Sequence, residues 1–181
     1  MIRLLFPSML TAAAAFAQTA QMSSFEAFQK AATVIRHPRC LNCHIPGDQP
    51  LVGLNGDGHP MLVKRGTDGQ GAPGLRCSTC HQETNGELPH SPPGTKGWQL
   101  PTPQNRLAWA GLDDQKLCRG ILNVLKKGGQ PRDKIADYVN SDPRVLWAWD
   151  PGPGREKPSM DRLEFVELIR TWIEKGASCA P

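Results

Sequence analysis

Apolar positions along this chain form four stretches of helical period, set apart by two long stretches with no period at all. The first opens at Ser23-Ser24-Phe25-Glu26, a capping-box sequence in which Ser23 caps and Glu26 lies three residues on. Phe25, Phe28, Ala32 and Ile35 follow at helical spacing as far as Arg36, and Pro38 forces the chain out of the helix. Beyond Gln104 the pattern returns. Asp113-Asp114 opens a helix through Leu117, Cys118, Ile121, Leu122 and Leu125 to Lys126-Lys127, stopped by Gly128-Gly129. Its acidic start and basic end both suit the helix dipole. A shorter helix is expected from Arg132 to Val139, after Pro131. The last runs from Ser159 to Lys175, with Leu163, Val166, Ile169, Trp172 and Ile173 on one stripe and Gly176 closing it.

Residues 45–76 hold neither a helical nor a strand pattern. Gly and Pro punctuate them too often, as in Asn55-Gly56-Asp57-Gly58 and Pro73-Gly74. Residues 82–103 are similar, with Pro89, Pro92-Pro93-Gly94 and Pro101-Thr102-Pro103. Loops this long are uncommon in a small domain unless they wrap around something. Aromatic residues make up only 6% of the chain, which is little for a core built of side chains alone.

What the loops would wrap around is given by Cys40-Leu41-Asn42-Cys43-His44 and Cys77-Ser78-Thr79-Cys80-His81. Each is a C-x-x-C-H pentapeptide, the attachment sequence of a c-type haem. The two thiols add to the two porphyrin vinyl groups, and the following imidazole reaches the iron from the proximal side. A zinc site is the rival, because paired C-x-x-C is also a zinc-ribbon spacing. Zinc needs no histidine after either pair, and here both pairs carry one. Two covalently bound haem c groups are therefore expected, held by Cys40, Cys43, Cys77 and Cys80, with His44 and His81 as proximal iron ligands. Two porphyrins would also supply the apolar surface that the side chains lack.

The N-terminus fits this chemistry. Met1-Ile2-Arg3, a short apolar run and Ala15-Phe16-Ala17 before Gln18 describe a secretory signal peptide over residues 1–17. The alternative is an uncleaved N-terminal anchor. No later stretch approaches eighteen apolar residues, so no membrane span is expected in the mature chain. Residues 18–181 are expected to form one domain, with a haem-attachment half (18–103) and a helical half (104–181). In an oxidising compartment the two remaining cysteines, Cys118 and Cys179, are expected to form a disulfide; free thiols are the alternative. The formal charge of +4 is small, and haem propionates would offset it, so nothing points to nucleic acid.

The sixth position of each iron is less determined. Non-motif candidates are His37, His59 and His90, with Met22, Met61 and Met160 as thioether alternatives. His59 lies fifteen residues after His44, and His90 nine after His81; both have the reach to pass around a porphyrin edge. His37, three residues before Cys40, could more easily serve the other haem than its own. His59 and His37 are the expected distal ligands, with His90 and Met61 as alternatives. Trp98, Trp109, Trp147 and Trp149 cluster in the same loops and turns, where packing against porphyrin and core is preferred to an aromatic electron path.

Residues 37–82, with His59-Pro60-Met61, Asp68-Gly69 and Arg76-Cys77-Ser78-Thr79-Cys80-His81, resemble the small dihaem subunit of periplasmic nitrate reductases. In that family one histidine before the first motif and another between the motifs are distal ligands, which implies His37 and His59. The family's upstream histidine lies farther from its first cysteine, which keeps His90 in play, and residues 104–181 have no counterpart there. Over the mature length the chain is similar to a group of proteobacterial dihaem cytochromes. The shared residues are Arg36-His37-Pro38-Arg39-Cys40, Trp147-Ala148-Trp149-Asp150-Pro151-Gly152 and Gly176-Ala177-Ser178-Cys179. Members of that group are often labelled as cytochrome subunits of molybdenum hydroxylases of the isoquinoline-oxidoreductase kind, a label that implies a redox-protein partner such as a dehydrogenase.

The fold expected is mainly α, a few helices and long Gly/Pro-rich loops wrapped around two covalently attached haems, with little or no sheet. The function expected is that of a periplasmic electron-transfer protein, not an enzyme, passing single electrons between redox partners. The alternatives are a small dihaem peroxidase, with Glu83, Glu87 or His90 as its acid/base residue, or a haem-based sensor; both need one open iron.

Overall fold

The structure is a computed structural model that describes residues 22–181; the signal peptide expected at 1–17 lies outside them. Helix α1 (Ser24–Ile35) is capped by Ser23. Ser23 donates its backbone N–H to Glu26 Oε2 at 2.7 Å and Glu26 N–H returns to Ser23 Oγ at 3.2 Å, so the capping box is complete. Phe25, Phe28, Ala32 and Ile35 are buried along it, and Ala27, Ala31 and Val34 are buried with them. That wide apolar face packs on α6 (Arg162–Glu174), where the Phe28 and Trp172 rings lie 4.8 Å apart. The two helices are also joined through Ser24. Its hydroxyl donates to the Trp172 carbonyl at 2.8 Å and accepts from the Ser178 N–H at 2.9 Å.

Helix α3 (Asp114–Lys127) begins at its Asp113 cap and stops at Gly128, and places Leu117 and Cys118 in the same core. Cys118 is disulfide-bonded to Cys179 just beyond α6. Between these helices, a 3-10 turn (Arg132–Lys134) runs into α4 (Ile135–Ser141), with Ile135 and Ala136 buried.

Three details differ from the sequence pattern. Helix α6 starts at Arg162 because the Asp161 side chain takes the Leu163 and Glu164 N–H groups, which sets the first turn three residues late. Its buried stripe is Phe165, Val166, Leu168, Ile169 and Trp172, while Leu163 is 58% exposed. A short helix α5 (Pro143–Leu146), capped by Asp142 with proline at its first position, continues as a 3-10 turn at Trp147–Trp149.

The periodless stretch 45–76 contains two minimal hairpins, β1–β2 (Leu51–Val52 with Asp57–Gly58) and β3–β4 (Gly71–Ala72 with Leu75–Arg76), both antiparallel. Pro73-Gly74 closes the second, with Gly74 supplying a φ of +83°. Arg65 holds this region together. Its side chain is only 1% exposed and donates to the carbonyls of Pro101 and of Gly47 at 2.9 Å, with Asp48 3.5 Å from Nε. One buried guanidinium, from the middle of the first loop, thus ties that loop's start to the end of the second. Apart from α2 (Pro38–Leu41), which carries the first cysteine of the first motif, and 3-10 turns at Pro60–Leu62 and Cys77–Thr79, the described helices lie in the core and the helical half.

Candidate functional site

Both pentapeptides fold into the same turn. In the first, Cys43 and His44 N–H both point to the Cys40 carbonyl, at 3.2 and 3.1 Å. In the second, Cys80 and His81 N–H both point to the Cys77 carbonyl, at 3.2 and 2.9 Å. Two cysteines three apart on one helical turn share a face, and the histidine follows on the next step. The β1–β2 hairpin leads into His59, whose N–H donates to the Pro50 carbonyl at 3.0 Å. The β3–β4 hairpin leads into Cys77, whose N–H donates to the Gln70 carbonyl at 2.9 Å. Gly71 is required there, with φ +97°, because a Cβ would lie 2.6 Å from the Leu75 carbonyl oxygen.

The first turn faces a cavity of about 620 Å³. Cys40, Cys43 and His44 stand on its wall, opposite apolar side chains of the helical half that include Leu125, Ile135, Val139 and Ile169. Its charged lining residues among those described are all cationic: Arg39, Lys134 and Arg144. Burial pushes the Cys40 thiol up to about 12 and Cys43 to about 11, so both stay protonated. Burial also pushes His44 down to about 3, leaving a neutral imidazole, the form that binds metal.

An apolar cavity of this volume lies in the range of cofactor sites, roughly 300–1,000 Å³. Two thiols and a neutral imidazole on its wall, with cations to meet carboxylates, fit a covalently attached haem. The zinc alternative needs four converging ligands. Among the described residues no group of three or more His, Cys, Asp and Glu side chains is placed to hold a bare ion.

Each motif histidine is fixed in the same way. His44 Nδ1–H donates to the Leu107 carbonyl at 3.3 Å, and His81 Nδ1–H to the Pro93 carbonyl at 2.6 Å. That bond sets the tautomer and leaves the Nε2 lone pair free. Each ring is also stacked on an indole at 8°: His44 on Trp109 with centres 3.4 Å apart, His81 on Trp98 with centres 4.5 Å apart. Trp98 also lines the first cavity and meets Trp147 edge-on at 4.9 Å, so a single indole lies between the His81 ring and that cavity. The sequence placed these tryptophans near the site but not against the imidazoles. Nor did it indicate the Leu107 and Pro93 carbonyls.

The candidate distal ligands part company. His59 lies beside His81, ring centres 5.9 Å apart, and its Nδ1–H donates to the Pro60 carbonyl at 2.7 Å. Two imidazoles each about 2 Å from a shared metal through one nitrogen put their ring centres on the order of 6 Å apart. His37 is engaged differently. It caps α2, its Nδ1 accepting the Arg39 N–H at 3.2 Å, so in the neutral ring the proton sits on Nε2, and it does not line the cavity. Met61 is 70% exposed and, with Leu62, has a positive φ. His90 is exposed, also at positive φ, and packs near Gly154.

Comparison of the chain with protein-family models, with curated proteins and with solved structures finds no match.

Proposed function

We propose that this chain is an exported dihaem cytochrome c that passes single electrons between redox partners in the periplasm. The observation that carries the reading is the His59–His81 pair: two imidazoles at metal-sharing distance, each held by a carbonyl through Nδ1, beside a C-x-x-C-H turn. A bound haem supplies a one-electron couple, whose potential the protein sets through axial ligands and burial. Cys40 and Cys43 would hold one group, Cys77 and Cys80 the other. His44 and His81 would be proximal ligands, with His59 distal to the second. The Leu107, Pro93 and Pro60 carbonyls keep each ring's Nε2 available and raise its basicity. Trp98, between the His81 ring and the first cavity, gives the two sites a common wall. The resemblance to molybdenum-hydroxylase cytochrome subunits supports a dehydrogenase of that class as partner.

Mature protein denatured before mass measurement is expected to carry the mass of two haems, with a sharp reduced α-band of the c type. His59→Ala is expected to abolish the low-spin signature of one haem, whereas Met61→Leu leaves the spectrum unchanged. A methionine–iron charge-transfer band lost in Met61→Leu would overturn the assignment of His59. Bound zinc in place of haem would overturn the whole reading.

A further inference from the structure

The two sites differ in what they offer a sixth coordination position. At the second, His59 stands 5.9 Å from His81, ring centre to ring centre. At the first, none of the described residues lining the cavity is a methionine, a carboxylate or a histidine other than His44. The two lining side chains that could approach as ligands are held elsewhere. Lys134 is 65% exposed, with its ammonium 3.7 Å from Asp137. Tyr138 is 51% exposed, and its hydroxyl is engaged by Asp142 and Arg144. His37 keeps its Nδ1 on the Arg39 N–H, outside the cavity.

Resting on the two-haem reading above, we propose that the haem held by Cys40, Cys43 and His44 keeps an exchangeable sixth position that takes a diatomic π-acceptor ligand, while the second haem is closed by His59. Neutral diatomics suit an apolar wall, since they bring no charge to desolvate. The same lining argues against peroxide cleavage, which needs a positioned acid/base group at the iron. Glu83, Glu87 and His90 are all outside the cavity. The chemistry is therefore reversible ligand binding, with no bond of the ligand broken.

Titration of the fully reduced holoprotein with carbon monoxide tests this, after the haem content has been fixed by mass. One carbon monoxide bound per two haems is expected, together with one high-spin and one low-spin ferric centre in the oxidised protein. His59→Ala is expected to raise the stoichiometry to two. No uptake by the intact protein overturns the inference, whatever side chain fills the position. Two equivalents bound by the intact protein overturn the asymmetry and with it the inference. Fewer than two haems by mass overturns instead the reading on which the inference rests.

Discussion

Cys40→Ala combined with Cys43→Ala is expected to leave one haem on the protein and to abolish its cooperative thermal transition. The reason lies in the volume at stake. The cavity facing those thiols is about 620 Å³ and is walled by α1, α3, α4 and α6 together. Interiors pack like organic crystals and rarely keep voids much above the size of a water molecule. Buried volume lost from a core costs about 24 cal/mol per Å³, which for this cavity is on the order of 10 kcal/mol. Whole domains are stable by about 5–15 kcal/mol, so the loss is comparable to the entire stability. Cys77→Ala with Cys80→Ala is the matched control. It also removes one haem, but its turn does not stand on that cavity, so the helical half should still melt cooperatively. Circular dichroism at 222 nm on heating separates the two. Equal melting curves for both double variants would show that the first site does not organise the core.

Cys118→Ala with Cys179→Ala is expected to lower stability by about 4 kcal/mol in the chain-entropy account, because the bond spans 61 residues. For a domain of this size that corresponds to a fall in Tm on the order of 10 °C. Cys118 sits fully buried on α3 and Cys179 follows α6, so the bond holds the two ends of the helical half against one core. The haem spectrum should be unchanged at room temperature, since neither cysteine lines the cavity. Denaturant titration with haem absorbance and far-ultraviolet dichroism followed in parallel measures both. A stability within about 0.5 kcal/mol of the parent would mean that the unfolded chain is already constrained by its other covalent links.

Much of the fold was legible because local chemistry decided it. Ser23 and Glu26 form the capping box their spacing announces, and Asp113 and Gly128 bound α3 as their residue types suggest. The spare cysteines pair. Two-residue strands were not legible, because a period of two cannot show itself in two residues. The last helix was expected to start at Ser159, whereas Asp161, itself a capping residue type, sets its start. The motif turns follow from the sequence, but the approach of His59 to His81 does not. It depends on two hairpins and on Arg65, whose contacts reach 36 residues along the chain. The capping role of His37 did carry a signal: it precedes a proline, the residue favoured at the first position of a helix.

The double hydrogen bond of Ser24 fixes an order of events as well as a structure. The hydroxyl on the first turn of α1 is held by Trp172 and Ser178, so this end of α1 stays undocked until the C-terminal end of the chain has been made, although Gln29 and Arg36 meet Asp114 earlier. About a hundred residues separate Cys80 from Ser178. At a synthesis rate of about 5–20 residues per second, Ser178 follows both C-x-x-C-H sequences by at least roughly 5 s, and until it is made the core behind the first of them is incomplete. During that interval Cys40 and Cys43, which face the cavity once the core is complete, remain open to whatever must react with them. A chain whose last helix were moved ahead of the motifs would forfeit that delay and would close its core before its cysteines had emerged.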